Sequence, residues 1–159
     1  MTSEPVVMHS SAMHLIGRSV RTSNALEMDA STAQIGALWQ QFNAQELSAN
    51  TAVTNPGVIF GVYSDYESDH NGTYTLSVAL ETEAGAPVPQ GFNAIAIPPA
   101  TFLVFSAEGP IPQATIGLWQ EIWQYFERHT DTPRAFDYDF ELYSAQQPDK
   151  VDIYISIKS

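Results

Sequence analysis

The stretch Phe136-Asp137-Tyr138-Asp139-Phe140-Glu141-Leu142-Tyr143 alternates apolar and acidic residues with a period of two. In an extended strand that period puts Phe136, Tyr138, Phe140 and Leu142 on one face and Asp137, Asp139, Glu141 and Tyr143 on the other. The closing segment divides the same way, with Val151, Ile153, Ile155 and Ile157 opposed to Asp152, Tyr154, Ser156 and Lys158. The apolar sets are expected beneath helices. The second face brings carboxylates together with aromatic rings, and both attract an organic cation. A cation over a ring gains about 0.5–2 kcal/mol, and a charged hydrogen bond adds about 1.5–3 kcal/mol. A carboxylate buried there without a partner titrates high, and an arriving cation relieves that cost. The same alternation also suits an antiparallel sheet with one face in water. The period alone does not choose between pocket and solvent face.

Other chemistries find little support. There is no cysteine, which excludes disulfides, thiolate catalysis and zinc–cysteine sites. The histidines, His9, His14, His70 and His129, show no metal-ligand spacing, so no metal or cofactor is expected; His70 reads as a solvated turn residue. Gly57 and Gly61 lack the spacing and following helix of a phosphate loop, and no G-x-S-x-G elbow is present.

The elements that must position these residues come in two rounds. In the first, His14 to Thr22 reads as a strand. Ser31 to Glu46 reads as a helix with the stripe Ile35, Leu38, Trp39, Phe42 and with Asp29, Ser31 or Thr32 as N-cap. Val58 to Asp65 and Thr73 to Glu81 follow as strands joined by Asp69-His70-Asn71-Gly72. A Pro/Gly-rich linker, Gly85 to Gly91, separates the second round: a strand Phe102 to Ala107, a helix Pro112 to His129, then strands Phe136 to Ser144 and Val151 to Lys158 around Gln146-Gln147-Pro148-Asp149. The first stripe recurs at one constant offset as Trp119, Ile122, Trp123 and Phe126, and Val62-Tyr63-Ser64 is echoed by Leu142-Tyr143-Ser144. This is the signature of duplication. The expected fold is α+β, one domain over residues 1–159 built from tandem β-α-β-β units at about 11–84 and 92–159. It has antiparallel sheets, two main helices and a ligand cleft between the halves, where pockets commonly form.

Six basic residues stand against eighteen acidic ones, a net charge of −12. That surface repels phosphate backbones, so no direct nucleic-acid partner is expected. The N-terminal Met1-Thr2-Ser3-Glu4-Pro5 does not read as a signal peptide, and no apolar run reaches the ~18 residues of a membrane span. A cytoplasmic location without membrane contact is the expectation.

Three segments resemble the GyrI-like family, the bacterial transcription-activator effector-binding domains. They are Ile97-Pro98-Pro99-Ala100-Thr101-Phe102-Leu103-Val104-Phe105 with Glu108-Gly109, the Trp-bearing helix from Ile116 to Phe126, and Phe140-Glu141-Leu142-Tyr143 running into Val151–Ile157. The resemblance implies a tandem β-α-β-β fold and an aromatic-walled pocket. In drug-sensing members the strand glutamate pairs with lipophilic, drug-like cations, a role that falls here on Glu141. Tyr143 and its counterpart Tyr63 are candidate walls, joined by Trp39 and Trp123, although both tryptophans sit in helical stripes that equally suit a core. No helix-turn-helix precedes residue 10, so a regulatory role implies a separate transcription-regulator protein. Two alternatives follow from the same resemblance. One is a hydrolase of electrophilic natural products with Glu141 as general base. The other is a gyrase-modulating inhibitor acting through its acidic surface.

Overall fold

The computed structural model describes residues 4–69 and 71–158. His70 lies outside the described residues. The chain forms β1 (Val6–Ser10), β2 (Met13–Ser23), α1 (Asn24–Glu27), α2 (Ile35–Gln41), α3 (Ala44–Asn50), β3 (Val58–Ser64), β4 (Thr73–Thr82), β5 (Asn93–Ile97), β6 (Ala100–Glu108), α4 (Gln113–Arg128), β7 (Asp139–Ser144) and β8 (Gln147–Ser156). All strands join one antiparallel sheet in the order β1-β6-β8-β7-β3-β4-β2-β5.

That order is palindromic once β1 to β4 are matched with β5 to β8, which is the duplication expressed in space. The halves exchange their lead strands: β1 pairs with β6 and β5 with β2. Neither lead strand was expected from sequence. The halves meet where β3 pairs with β7, and there Gly61 faces Glu141, its own counterpart in the repeat. A pseudo-twofold axis therefore passes between these two residues.

The sheet is buried on both faces. One face is covered by helices: α4 packs on Leu103, Phe105, Val151, Ile153 and Ile155, while α2 packs on Tyr74, Leu76 and Val78. The other face curls on itself around Phe60, Val62, Phe102 and Phe140, with no helix in the cluster. This reverses one expectation. Phe140, Leu142 and Tyr138 belong to the curled face, where Phe140 stacks on Tyr154 with centroids 4.5 Å apart. Asp139, Glu141 and Tyr143 therefore point to the helical side. Alternation identifies an apolar face but not what covers it, and here both coverings exist. Register carries the correction, since Phe140 pairs with Tyr154 and Glu141 with Ile153. Phe136 takes φ 55 and stands outside the strand.

The expected first helix is two helices. Phe42 is extended at ψ 119, and the Asn43 side chain accepts the Glu46 N–H at 3.0 Å, capping a new start. Asparagine competes for backbone hydrogen bonds and favours such caps over helix interiors. None of the three expected N-caps serves α2. The carboxylate of Glu27 accepts the Gln34 and Ile35 N–H groups instead, each at 3.0 Å. Asp29 turns back on Ser31 at 2.9 Å. Among the described residues no helix is long and apolar enough to cross a membrane.

Candidate functional site

Strand β7 presents Glu141 and Tyr143 two residues apart, and β3 brings Tyr63 beside them through the Gly61–Glu141 register. Overhead, Thr115 and Trp119 lie one turn apart on α4 and reach the same point. Tyr63 donates its hydroxyl to Glu141 Oε2 at 2.8 Å, and the Trp119 indole N–H donates to the same oxygen at 2.7 Å. Tyr143 donates to Oε1 at 2.7 Å. With its proton spent there, Tyr143 accepts from Thr115 Oγ1 at 3.0 Å. The two counterpart tyrosines thus clasp one carboxylate sitting on the pseudo-axis.

Space on that axis is tight. A Cβ on Gly61 would lie 3.3 Å from Glu141 Oε1 and 3.3 Å from Trp39 Cζ2. The glycine opposite therefore makes room for the acid.

Glu141 is 4 % exposed, and among the described residues no basic side chain pairs with it. Burial pushes its carboxyl above the ordinary glutamate value of 4.5, against the pull of the Trp119, Tyr143 and Tyr63 hydrogen bonds. The same burial, reinforced by the adjacent carboxylate, holds the Tyr63 and Tyr143 phenols well above 10.0. Both remain protonated donors at any ordinary pH.

Beside this cluster, between the halves, opens a cavity of about 540 Å³. Tyr63, Tyr66, Tyr74 and Ile35 wall it from the first half; Trp119, Trp123, Ile116 and Arg134 wall it from the second. Met28 and Ile116, both exposed, add apolar surface to its lining. Tyr63 and Trp119 meet edge to face at 5.2 Å, and Trp119 and Trp123 are tilted at 6.2 Å.

Of the residues singled out from sequence, Tyr63 and Trp123 line this cavity. Glu141 lies directly behind Tyr63 and Trp119, touching both, rather than in the lining itself. Tyr143 looks the other way, into a separate apolar cavity of about 670 Å³ with Ile59, Leu80 and Ala44. Trp39 lines neither of these two; it meets Tyr143 edge-on at 5.5 Å. Sequence reasoning missed Trp119, Tyr66, Tyr74 and Arg134, and placed Asp139 on the acidic face without its partners. Trp119 had a usable signal, since it precedes Trp123 by one turn in the same stripe. Which of those turns overlies β7 is a tertiary fact.

Asp139 is fully buried and saturated. It pairs with Arg134 Nη2 at 2.7 Å and accepts from Tyr66 at 2.6 Å, from the Ser156 N–H at 2.7 Å and from the Ser156 hydroxyl at 2.9 Å. Among the described residues no cluster of His, Asp and Glu could hold a metal ion.

Known proteins share this architecture. YobU of Bacillus subtilis, named as a candidate transcriptional regulator, is 36 % identical, with 96 % of each chain covered. An integron cassette protein from the mobile metagenome of Vibrio cholerae superposes with a TM-score of 0.81 at 29 % identity, over 99 % of this chain and 97 % of that one. The structure of SAV2435 bound to tetraphenylphosphonium shares the fold, with a TM-score of 0.72 at 19 % identity over 99 % and 95 % of the two chains. The sequence pattern of the integron-associated effector-binding proteins, Cass2, matches residues 9–157. With nearly every strand and helix inside that match, the chain belongs to the Cass2 family of integron-associated effector-binding proteins.

Proposed function

We propose that this chain binds lipophilic organic cations in the cavity between its halves, with Glu141 as the counter-charge. The observation that carries the reading is a buried carboxylate held, among the described residues, only by neutral donors, immediately behind an aromatic wall. Burying a charge is costly unless an opposite charge answers it. A cation in the cavity answers it across the thickness of one ring. At roughly 7 Å and an effective dielectric of about 20, that attraction is on the order of 2 kcal/mol. Cation–π contact with Tyr63, Trp119 and Tyr74 adds about 0.5–2 kcal/mol for each well-placed ring. The tetraphenylphosphonium bound by SAV2435 is a guest of this chemical class.

A general-base role for Glu141 has less support, because its carboxylate already accepts three hydrogen bonds and stands behind Tyr63 and Trp119 rather than in the cavity lining. A net charge of −12 disfavours direct contact of these residues with nucleic acid, so any transcriptional output depends on a DNA-binding partner.

Tetraphenylphosphonium added to the protein should perturb tryptophan emission, since two of the three tryptophans line the cavity. At about 100 times its dissociation constant it should stabilise the fold by about 2.7 kcal/mol. Glu141→Gln should weaken binding by about tenfold or more. Unaltered emission and melting at saturating guest would remove the proposal.

A further inference from the structure

Among the described residues the cavity wall contains one basic side chain, Arg134, and its position is unusual for a site that receives cations. Arg134 follows Pro133 and bridges to Ile157, just before the left-handed Phe136. Its guanidinium carbon lies 4.3 Å from the Phe136 ring centroid and 6.0 Å from those of both Tyr66 and Trp119. The residue is 7 % exposed. It also lines an adjoining cavity of about 340 Å³ with Trp123, Phe126 and Phe136, so it stands in the wall between two spaces.

The Arg134–Asp139 pair is unequally satisfied. Asp139 accepts four hydrogen bonds and has no further need. A guanidinium carries five N–H donors in a planar fork that suits carboxylates. Arg134 commits Nη2 to Asp139, while Nε is buried with no hydrogen-bond partner among the described residues. A buried donor left unmet is costly, and a native structure that keeps one calls for an explanation. Nε itself is closed off from the cavity, but Arg134 lines that space, and an acceptor carried by a guest meets the edge of the fork that Asp139 leaves free.

The geometry is bipolar. Trp119 touches Glu141 through its indole N–H at 2.7 Å and has the Arg134 guanidinium 6.0 Å from its ring centre. One indole therefore separates an unanswered negative charge from an under-used positive one. We infer that the cavity is built for amphoteric guests: lipophilic molecules carrying an organic cation and, on the same scaffold, a carboxylate or comparable acceptor. The cationic end lies over Tyr63 and Trp119 toward Glu141, and the acceptor meets Arg134. This rests on the cation-binding reading above and narrows it, because a purely cationic guest satisfies only one pole.

Two forms of one dye separate the two ideas. Tetramethylrhodamine is a zwitterion at neutral pH; its methyl ester is a cation of nearly the same shape. Fluorescence anisotropy with the full chain should show the acid bound at least as tightly as the ester. The double variant Arg134→Met, Asp139→Asn removes the buried pair together and avoids stranding a charge. In it the preference for acid over ester should collapse by about tenfold or more. An unchanged acid-to-ester ratio in the double variant overturns the inference, because a general loosening of the fold affects both dyes alike. So does a wild-type protein that takes the ester and refuses the acid. Tetraphenylphosphonium serves as the reference guest. If it binds while the acid does not, the amphoteric reading falls and the cation reading stands; if neither binds, both fall.

Discussion

Two carboxylates on β7, Asp139 and Glu141, lie two residues apart on the same face, both buried, yet they are held in opposite ways. Asp139 has a cation, a phenol, a hydroxyl and a backbone N–H. Glu141 has two phenols and an indole, all neutral. Hydrogen bonds from neutral groups make a buried charge tolerable without cancelling it. The first site is electrostatically closed and ties the Pro133–Phe136 segment to the sheet. The second is open and sits beside a cavity. Burial alone does not distinguish a structural acid from a functional one; the presence of a counter-charge does.

The largest effect expected from this contrast is on stability. Asp139→Asn strands Arg134 in the interior and should cost about 3–5 kcal/mol, read as a lower midpoint in urea denaturation. Glu141→Gln removes a charge that has no cation among the described residues, so the folded state should hold or gain stability at neutral pH while guest binding weakens by about tenfold or more. A denaturation midpoint that falls as far for Glu141→Gln as for Asp139→Asn would erase the distinction between the two sites.

Acidity sharpens it further. The Glu141 carboxyl titrates above 4.5 in the folded chain, so the folded state holds this proton more tightly than the unfolded one. Its contribution to stability is therefore fully present below the ordinary glutamate value and is lost as pH rises through the raised one. Cation affinity runs the other way, rising with pH through that window as the carboxylate forms. Calorimetric titrations from acid to neutral pH should show the rise in wild type and a flat profile in Glu141→Gln. A flat wild-type profile would mean that the guest does not sense this group.

The smallest effect concerns the axis. Gly61→Ala places a methyl 3.3 Å from both Glu141 Oε1 and Trp39 Cζ2. Crowding of this size costs about 1–3 kcal/mol in packed interiors, and the lower end is expected because a side-chain oxygen and a ring edge can each yield slightly. Melting temperature should fall modestly and guest affinity with it. An alanine accepted without change in either would mean that the glycine is not what admits the acid.

Much of this was legible in the chain. The recurring stripes and the echo of Val62-Tyr63-Ser64 in Leu142-Tyr143-Ser144 expose the duplication, because repeated packing demands repeat themselves in sequence. Alternation brought out Asp137, Asp139 and Glu141 alike, and among them Glu141 stood out through the resemblance to the GyrI-like family. Its direction did not, because a face buried by curling of the sheet has the same alternation as one buried by helices. The break at Phe42–Asn43 was hidden by a stripe that continues across it. Strands β1 and β5 are short and earn their place by pairing with the opposite half, a non-local fact. Arg134 had no local signal at all, since its meaning comes from Asp139 and three rings that only the fold assembles.

Charge recognition can be isolated with two ions of almost identical size and shape, tetraphenylphosphonium and tetraphenylborate. Titration calorimetry at neutral pH and fixed ionic strength should show the cation binding at least tenfold more tightly than the anion, a gap of about 1.4 kcal/mol or more, and Glu141→Gln should narrow it. Equal affinity for the two ions, or a gap untouched by Glu141→Gln, would contradict the account at its centre.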